Sequence, residues 1–336
     1  MKKLPLYFSL IVAAAGSIEA ETPRPASFTE GAVRQAQSVR QRQALAPKLN
    51  ESYSDGEVAP ELYPGESADV GPQLLVIPKV KRTLLEASAD VQYFYTSNIF
   101  LAEKAAVDTG VLLTTLQVAI APTPFEVAGK ELALRLGYRH QRYNYGLDNS
   151  RNGLNNFDFD DGTVFANARY AFAPNWNVFV GVDYNRLLSG LENLNEFYTE
   201  LVPGWALERQ FAFGENSMLS VAYIGAEHIT HADPAPTTDV NDRLDSIFSL
   251  SWSWQFRPGF VFQPYYRFQQ THYWANSTRN DLFHTVGATI SWVITDWASV
   301  RTFASWENRN SNASAGQAPD YQKLDGGLGL SVVLHF

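Results

Sequence analysis

The 336-residue chain is 45% hydrophobic, 13% aromatic and only 18% charged, carries a formal net charge of −9 and contains no cysteine. Its charged fraction falls below the ~25% of ordinary soluble domains. The negative balance repels phosphate backbones and argues against a nucleic-acid partner, and the missing thiols exclude disulfides.

The chain opens with "MKKLPLYFSLIVAAAGSIEAE", two lysines followed by an apolar run from Leu4 to Ala15 and then small residues. This is the pattern of a secretory signal peptide over residues 1–20, with cleavage after Ala20 and with Ala15 and Ser17 as other fitting sites. The run is too short to span a bilayer as a helix, and no later stretch reaches ~18 consecutive apolar residues. Removing residues 1–20 takes away Lys2, Lys3 and Glu19 and moves the net charge to −10. A chain that leaves the cytosol without cysteine must hold its fold by another device.

Residues 21–82 hold few aromatics and read as a periplasmic leader and linker. A short helix over 27–45 fits "SFTEGAVRQAQSVRQRQAL", where Ser27 and Glu30 form a capping box and Arg34, Arg40 and Arg42 add positive charge. Two roles stand open for the leader: a disordered spacer, or a segment that docks in or under the mouth of the domain that follows.

From residue 83 to 336 the texture becomes strict alternation. Strands are expected at 84–95, 108–121, 131–145, 162–173, 176–188, 195–211, 217–229, 242–256, 259–274, 281–294, 297–308 and 322–336. Tight polar turns (173–175, 214–217, 257–259, 295–296) alternate with longer links, except that "PTPFEVAGK" (122–130) is long where a tight turn is due. One face of each strand is apolar, as in Leu244, Phe248, Leu250, Trp252, Trp254 and Phe256, and the other is polar, as in Asp245, Ser249, Ser251, Ser253 and Gln255. A soluble sandwich also alternates. Trp176, Trp252, Trp254, Trp292 and Trp297 near one set of strand ends, and Trp274 and Trp306 near the other, instead suit two membrane interfaces. The fold expected is all-β: a closed antiparallel up-and-down transmembrane barrel of about 12 strands, with short periplasmic turns and long outer loops. Backbone N–H and C=O groups in hydrocarbon must be paired, so the first strand is expected to pair with the last.

The chain closes on "GLGLSVVLHF" (327–336), with Leu328, Leu330, Val332, Leu334 and Phe336 on one face. This ending resembles the C-terminal signature of bacterial outer-membrane β-barrel proteins. The resemblance implies that the barrel-assembly machinery reads this strand, with Phe336 as an assembly signal. The segment "VQYFYTSNIFL" (91–101) is similar to sequences of a porin-like class of such barrels, over one hairpin only.

Three arrangements of residues bear on chemistry outside the lumen. Outer-membrane phospholipases, with a lipid-facing Ser activated by His, place the His two residues before the Ser, and none of the six histidines has a Ser there. A protease site would need carboxylates beside a His at the outer rim, for which His228, His231, Asp233 and Asp239 are the candidates. In "NNFDFDDG" (155–162), Asp158, Asp160 and Asp161, with Asn156, form a candidate calcium loop, although the spacing is not that of an EF-hand and a plain solvated loop competes. The same acidic loop residues offer a bridge to lipopolysaccharide through divalent cations. No organic cofactor is implied.

The lumen is the better place. The inward candidates are the acids Glu86, Asp90, Glu131, Asp183, Glu200, Glu208, Asp245 and Glu307, and the bases Arg135, Arg139, Arg169, Arg243, Arg267 and Arg301. The two signs either segregate onto opposite walls and give a transverse field, or pair and close the lumen. Tyr143, Tyr265 and Tyr273 are further inward residues. The leading expectation is a passive porin-like channel for small polar solutes, weakly favouring cations. The alternatives are a closed barrel that binds a surface partner through its outer loops and, third, a membrane-embedded hydrolase. Expected partners are outer-membrane lipid, lipopolysaccharide, the assembly machinery and small polar solutes.

Overall fold

The computed structural model describes residues 84–104, 106–147, 154–189, 195–214, 216–232, 241–274, 279–313 and 320–336. The expected signal peptide, leader and 27–45 helix, together with Asp233 and Asp239, lie outside the described residues.

Twelve long strands and one short one form a single antiparallel sheet. In chain order they are β1 (Leu85–Thr96), β2 (Thr109–Ile120), the short β3 (Phe125–Val127), β4 (Lys130–Tyr145), β5 (Phe159–Ala173), β6 (Trp176–Ser189), β7 (Asn195–Ala212), β8 (Ser217–Ala232), β9 (Arg243–Arg257), β10 (Phe260–Tyr273), β11 (Asn280–Thr295), β12 (Ala298–Ser311) and β13 (Tyr321–His335). The long strands run 12 to 18 residues, more than the ~9–11 needed to cross a bilayer. Among the described residues, no helix is long and apolar enough to cross a membrane.

The sheet closes where expected. β1 pairs with β13 from Glu86↔His335 to Thr96↔Asp325. The amide of Phe336 donates to the carbonyl of Leu85, and the carbonyl of Phe336 accepts from Leu84 and Leu85. All long strands meander, so the tight turns and both described termini share one end (the turn end) and the long connections share the other (the loop end).

The structure differs from the sequence-based boundaries mainly at the loop end. β5 begins at Phe159 rather than 162, because Asp160 and Asp161 still pair with Leu188 and Leu187. β8 and β12 likewise run on to Ala232 and Ser311. Pairing continues there beyond the point where alternating hydrophobicity stops. The long "PTPFEVAGK" link is also explained. It folds β3 back on β4 through Ala128 and Gly129, whose φ values of 52° and 70° suit a two-residue hairpin of the primed type. β3 thereby covers the stretch of β4 below the end of β2, whose pairing with β4 stops at Ile120↔Leu136.

Alternation sorts the side chains into two faces. Outward stand Leu116, Val118, Leu136, Val180, Trp205, Trp254, Val286 and Leu328, the last 62% exposed. Inward stand polar groups such as Glu208 and Asp281, both fully buried. On the outer face several aromatic rings lie flat across a glycine of the neighbouring strand: Tyr93 on Gly110, Tyr138 on Gly162 and Trp205 on Gly225. Each ring fills the gap where a side chain is missing.

The β1–β13 seam has one inflexible point. A Cβ at Gly327 would fall 2.5 Å from Phe94 Cβ and 2.6 Å from its Cα, whereas one at Gly326 meets nothing closer than 3.5 Å. Gly327→Ala is expected to lose ~1–3 kcal/mol of unfolding free energy and Gly326→Ala less than ~0.5 kcal/mol, as read by urea titration of the heat-modifiable folded band in micelles.

Candidate functional site in the lumen

All fourteen predicted luminal residues lie on inward positions of their strands, and nearly all are engaged with a neighbour. On the seam side, Asp90 receives a two-pronged hydrogen bond from Arg301, at 2.6 and 2.8 Å. The same guanidinium donates to Gln92 and Ser331. Gly329 makes this possible, since a Cβ there would press on the guanidinium carbon at 3.0 Å. Further along β12 toward the loop end, Glu307 accepts from Tyr321 at 2.7 Å and from Thr285, with Lys323 3.7 Å away.

Around the wall, Arg135 reaches Glu86 at 2.5 Å and lies over the Phe165 ring. Arg169 bonds Glu131 near the turn end. Arg139 donates to Thr163 and stands 3.9 Å from Asp183. Glu208 accepts from Ser220 and Asn177, both neutral.

The densest cluster is buried on β6–β10. Glu200 accepts from Asn185 at 2.8 Å and Tyr198 at 3.1 Å, and it faces His228 Nδ1 at 3.1 Å. Nε2 of the same imidazole is 3.3 Å from Asp245, and Arg243 lies within 4 Å of both carboxylates. Asp245 also accepts from Thr271, which accepts in turn from Gln269, the partner of Arg267. Most of these buried charges therefore have an opposite charge or a hydrogen-bond chain beside them, whereas neither carboxylate oxygen of Asp183 accepts a hydrogen bond.

The two signs do not segregate onto opposite walls. Most bases pair with acids across strands, while the inward charged side chains of β6 and β7, Asp183, Glu200 and Glu208, are all acids. Sequence reasoning missed further members of this belt, among them Lys323 and Asp325, which pair on β13, and Arg279, Asp281 and Arg309. Asp281 accepts from Arg279 at 2.8 Å and Ser311 at 2.6 Å, with Arg309 at 3.9 Å. Arg279 and Arg309 lie over the Tyr273 and Tyr321 rings. Arg309 sits one residue past the expected strand end, and the extra length of β12 is what turns it inward. Asp161, expected in a loop, is also on the inner wall.

The candidate calcium loop is not brought together. Asp161 faces the lumen and Asp160 faces outward to Arg142 and His140. Asp158 caps the Tyr145 amide and binds Asn144. Among the described residues no group of three or more metal-binding side chains converges. The protease candidates separate as well: His228 is buried in the lumen and His231, three residues on, is exposed on the other face. His284 lies on the outer face, bonded to Tyr266, and His272 is bonded to Asn280.

Apolar side chains complete the inner wall. Phe179, Ala206, Ala222, Ile224 and Ile247 form one buried cluster. At the loop end Val111, Tyr145, Leu154, Phe159, Leu187 and Tyr198 form another, against which Ile99, Val107 and Phe157 pack from the connecting segments. Inward positions at the loop end are buried all round, from Thr96, Thr109 and Val111 through Tyr273 and Asp281 to Arg309 and Tyr321. Lower down, the wall divides. On β6–β9 the inward side chains are almost all buried. On β10–β13, β1, β2 and β4 they are mostly half-buried: Gln263, Tyr265, Thr289, Arg301, Gln92, Thr115, Gln117 and Gln141 all touch solvent.

An apolar outer face, tryptophans gathered at the turn end and a polar inner wall together define a membrane-spanning β-barrel. The outward members of the predicted assembly signal, Leu328, Leu330, Leu334 and Phe336, are exposed, and Val332 shares their face half-buried. No family model matches the chain, and no curated protein matches it. Among solved structures it is similar to an outer membrane channel from Pseudomonas putida F1 (11% identity, 78% of this chain and 100% of the other, TM-score 0.48). It is also similar to a bacterial polysaccharide outer membrane secretin (8%, 75% and 99%, 0.45) and to the KdgM porin (10%, 74% and 99%, 0.39).

The buried cluster and an exposed pair should respond differently to loss of charge. Glu200→Gln leaves His228 and Arg243 short of a carboxylate and is expected to cost about 3–5 kcal/mol. Arg186→Gln, which breaks the exposed outward pair with Glu196, should cost under ~1 kcal/mol. Urea unfolding in micelles, followed by tryptophan fluorescence, measures both.

Proposed function

We propose that this chain is a bacterial outer-membrane barrel, exported through the 1–20 signal peptide, that acts as a porin-like passive channel for small polar solutes. The observation that supports the reading best is the divided inner wall. One arc is packed dry, while the arc from β10 round to β4 presents Gln, Thr, Ser and Tyr side chains to solvent. A wall of this kind replaces the hydrogen bonds of a hydrated, uncharged solute without holding it by charge. The luminal charges are largely neutralised by their neighbours, so weak ion selectivity is expected rather than the cation preference suggested by net charge. Under this reading the partners are lipid and lipopolysaccharide around the barrel, the assembly machinery that reads Phe336 and its alternating leucines, and the solutes themselves.

A second reading, a closed barrel that works through its outer loops, has one observation in its favour: the layer of buried side chains at the loop end. Single-channel recording in planar bilayers separates the two. The channel reading expects small, weakly selective conductance steps, and larger steps when Leu154→Ser and Phe157→Ser loosen the loop-end cap. Absence of steps in both the natural chain and the double variant would favour the closed barrel.

A further inference from the structure

Arg209 is an outward-facing cation set in the apolar face. It stands on β7 three residues from the turn-end limit at Ala212, level with Trp176 across the β6–β7 ladder. Its guanidinium carbon is 5.0 Å from the Trp176 ring centre and 4.5 Å from that of Phe211. Of the other strand arginines off the inner wall, Arg142 and Arg186 sit near the loop end and are paired with Asp160 and Glu196, and Arg257 ends β9 at the turn end over the Phe260 ring. Among the described residues Arg209 has aromatic rings for neighbours and no carboxylate partner. A guanidinium does not lose its proton in a protein, so at a membrane surface it requires an anion or water.

Beside it lies a groove of about 240 Å³, lined by Trp176, Arg209, Phe211, Leu207, Val221, Tyr223 and Phe248. The register places Leu207, Tyr223 and Phe248 in one row and Arg209 and Val221 in the next row toward the turn end. One row further from that end, Trp205 packs on Tyr223, 5.4 Å between ring centres, and lies across Gly225. The groove thus runs from a cation at the level of the aromatic girdle into a strip of aliphatic and aromatic side chains.

We propose that this groove is a binding site for one phospholipid of the leaflet at the turn end, with the lipid phosphate on Arg209 and one acyl chain along Leu207, Val221, Tyr223 and Phe248. The fork of a guanidinium matches two phosphate oxygens. The flanking rings keep that fork at the depth where aromatic girdles and lipid headgroups meet. The phosphate is common to glycerophospholipids, so the site selects the phosphodiester and a chain rather than a particular headgroup. The inference rests on the membrane-spanning reading and is independent of whether the lumen conducts.

The test is native mass spectrometry of the full chain extracted from membranes in mild detergent. One phospholipid is expected to remain on the natural barrel. Arg209→Gln should lower its occupancy about fivefold, the effect of one basic residue near a lipid surface. Val221→Trp, which fills the groove and keeps the arginine, should lower it comparably. Both variants should keep the folded, heat-modifiable band. A natural barrel with no retained lipid, or equal occupancy in either variant, overturns the site. A chain freely soluble without detergent would instead end the membrane reading itself.

Discussion

The structure depends on one constraint: a backbone polar group inside hydrocarbon has no water to turn to, and leaving it unpaired costs several kcal/mol. A sheet of strands crossing the bilayer can meet that constraint only by returning on itself. The β1–β13 ladder, carried from Glu86↔His335 to Thr96↔Asp325, is where it does so. The side chains follow from the same closure. Once the sheet is a cylinder, every second residue faces lipid and every second faces the lumen, so the apolar and polar sets cannot be exchanged without slipping a whole ladder by one residue.

The inner wall shows how a barrel of intermediate bore handles charge. Charged side chains there are buried or half-buried and need partners, yet the cylinder is too wide to be filled by aliphatic groups alone. The solution is local pairing: Asp90 with Arg301, Glu86 with Arg135, and the Glu200–His228–Asp245 chain with Arg243. These bonds link different strands and fix register from within, while aromatic–glycine contacts do the same from outside. Pairing of this sort cancels the far field of each charge, so the wall offers hydrogen-bonding groups more than electrostatic steering.

Much of this was legible in the sequence because a period of two survives in single strands. The strand positions and the inward face of Arg135, Arg267 and Glu307 follow from parity, and the closure from the need to pair every backbone group in hydrocarbon. The charge partners did not, because they depend on register between strands, which no single strand records. Asp158, Asp160 and Asp161 illustrate the limit. Read as neighbours in a loop they suggest one cation site, but two of them lie in a paired strand and parity sends them to opposite sides of the sheet. Arg309 and β3 were missed for the converse reason: pairing persists where hydrophobic alternation has stopped. The groove beside Arg209 had a faint signal, an arginine at an apolar position, that gains meaning only when Trp176 and Phe211 are seen beside it.

The turn-end aromatics are unevenly spread. Trp252, Trp254, Phe256, Phe260 and Trp292 form a continuous train of ring contacts across β9–β11, with centroids 5.7 to 5.9 Å apart. On the seam strands β13, β1 and β2, by contrast, the outward turn-end positions Leu334, Leu85, Ala87, Val118 and Ile120 carry no rings, and Phe336 is the aromatic residue there. Indoles hold a preferred depth in a bilayer and aliphatic chains do not. The aromatic stretches of the turn end therefore hold their depth more firmly than the aliphatic seam, and local thinning or thickening of the membrane is taken up most readily beside the junction of the first strand with the last.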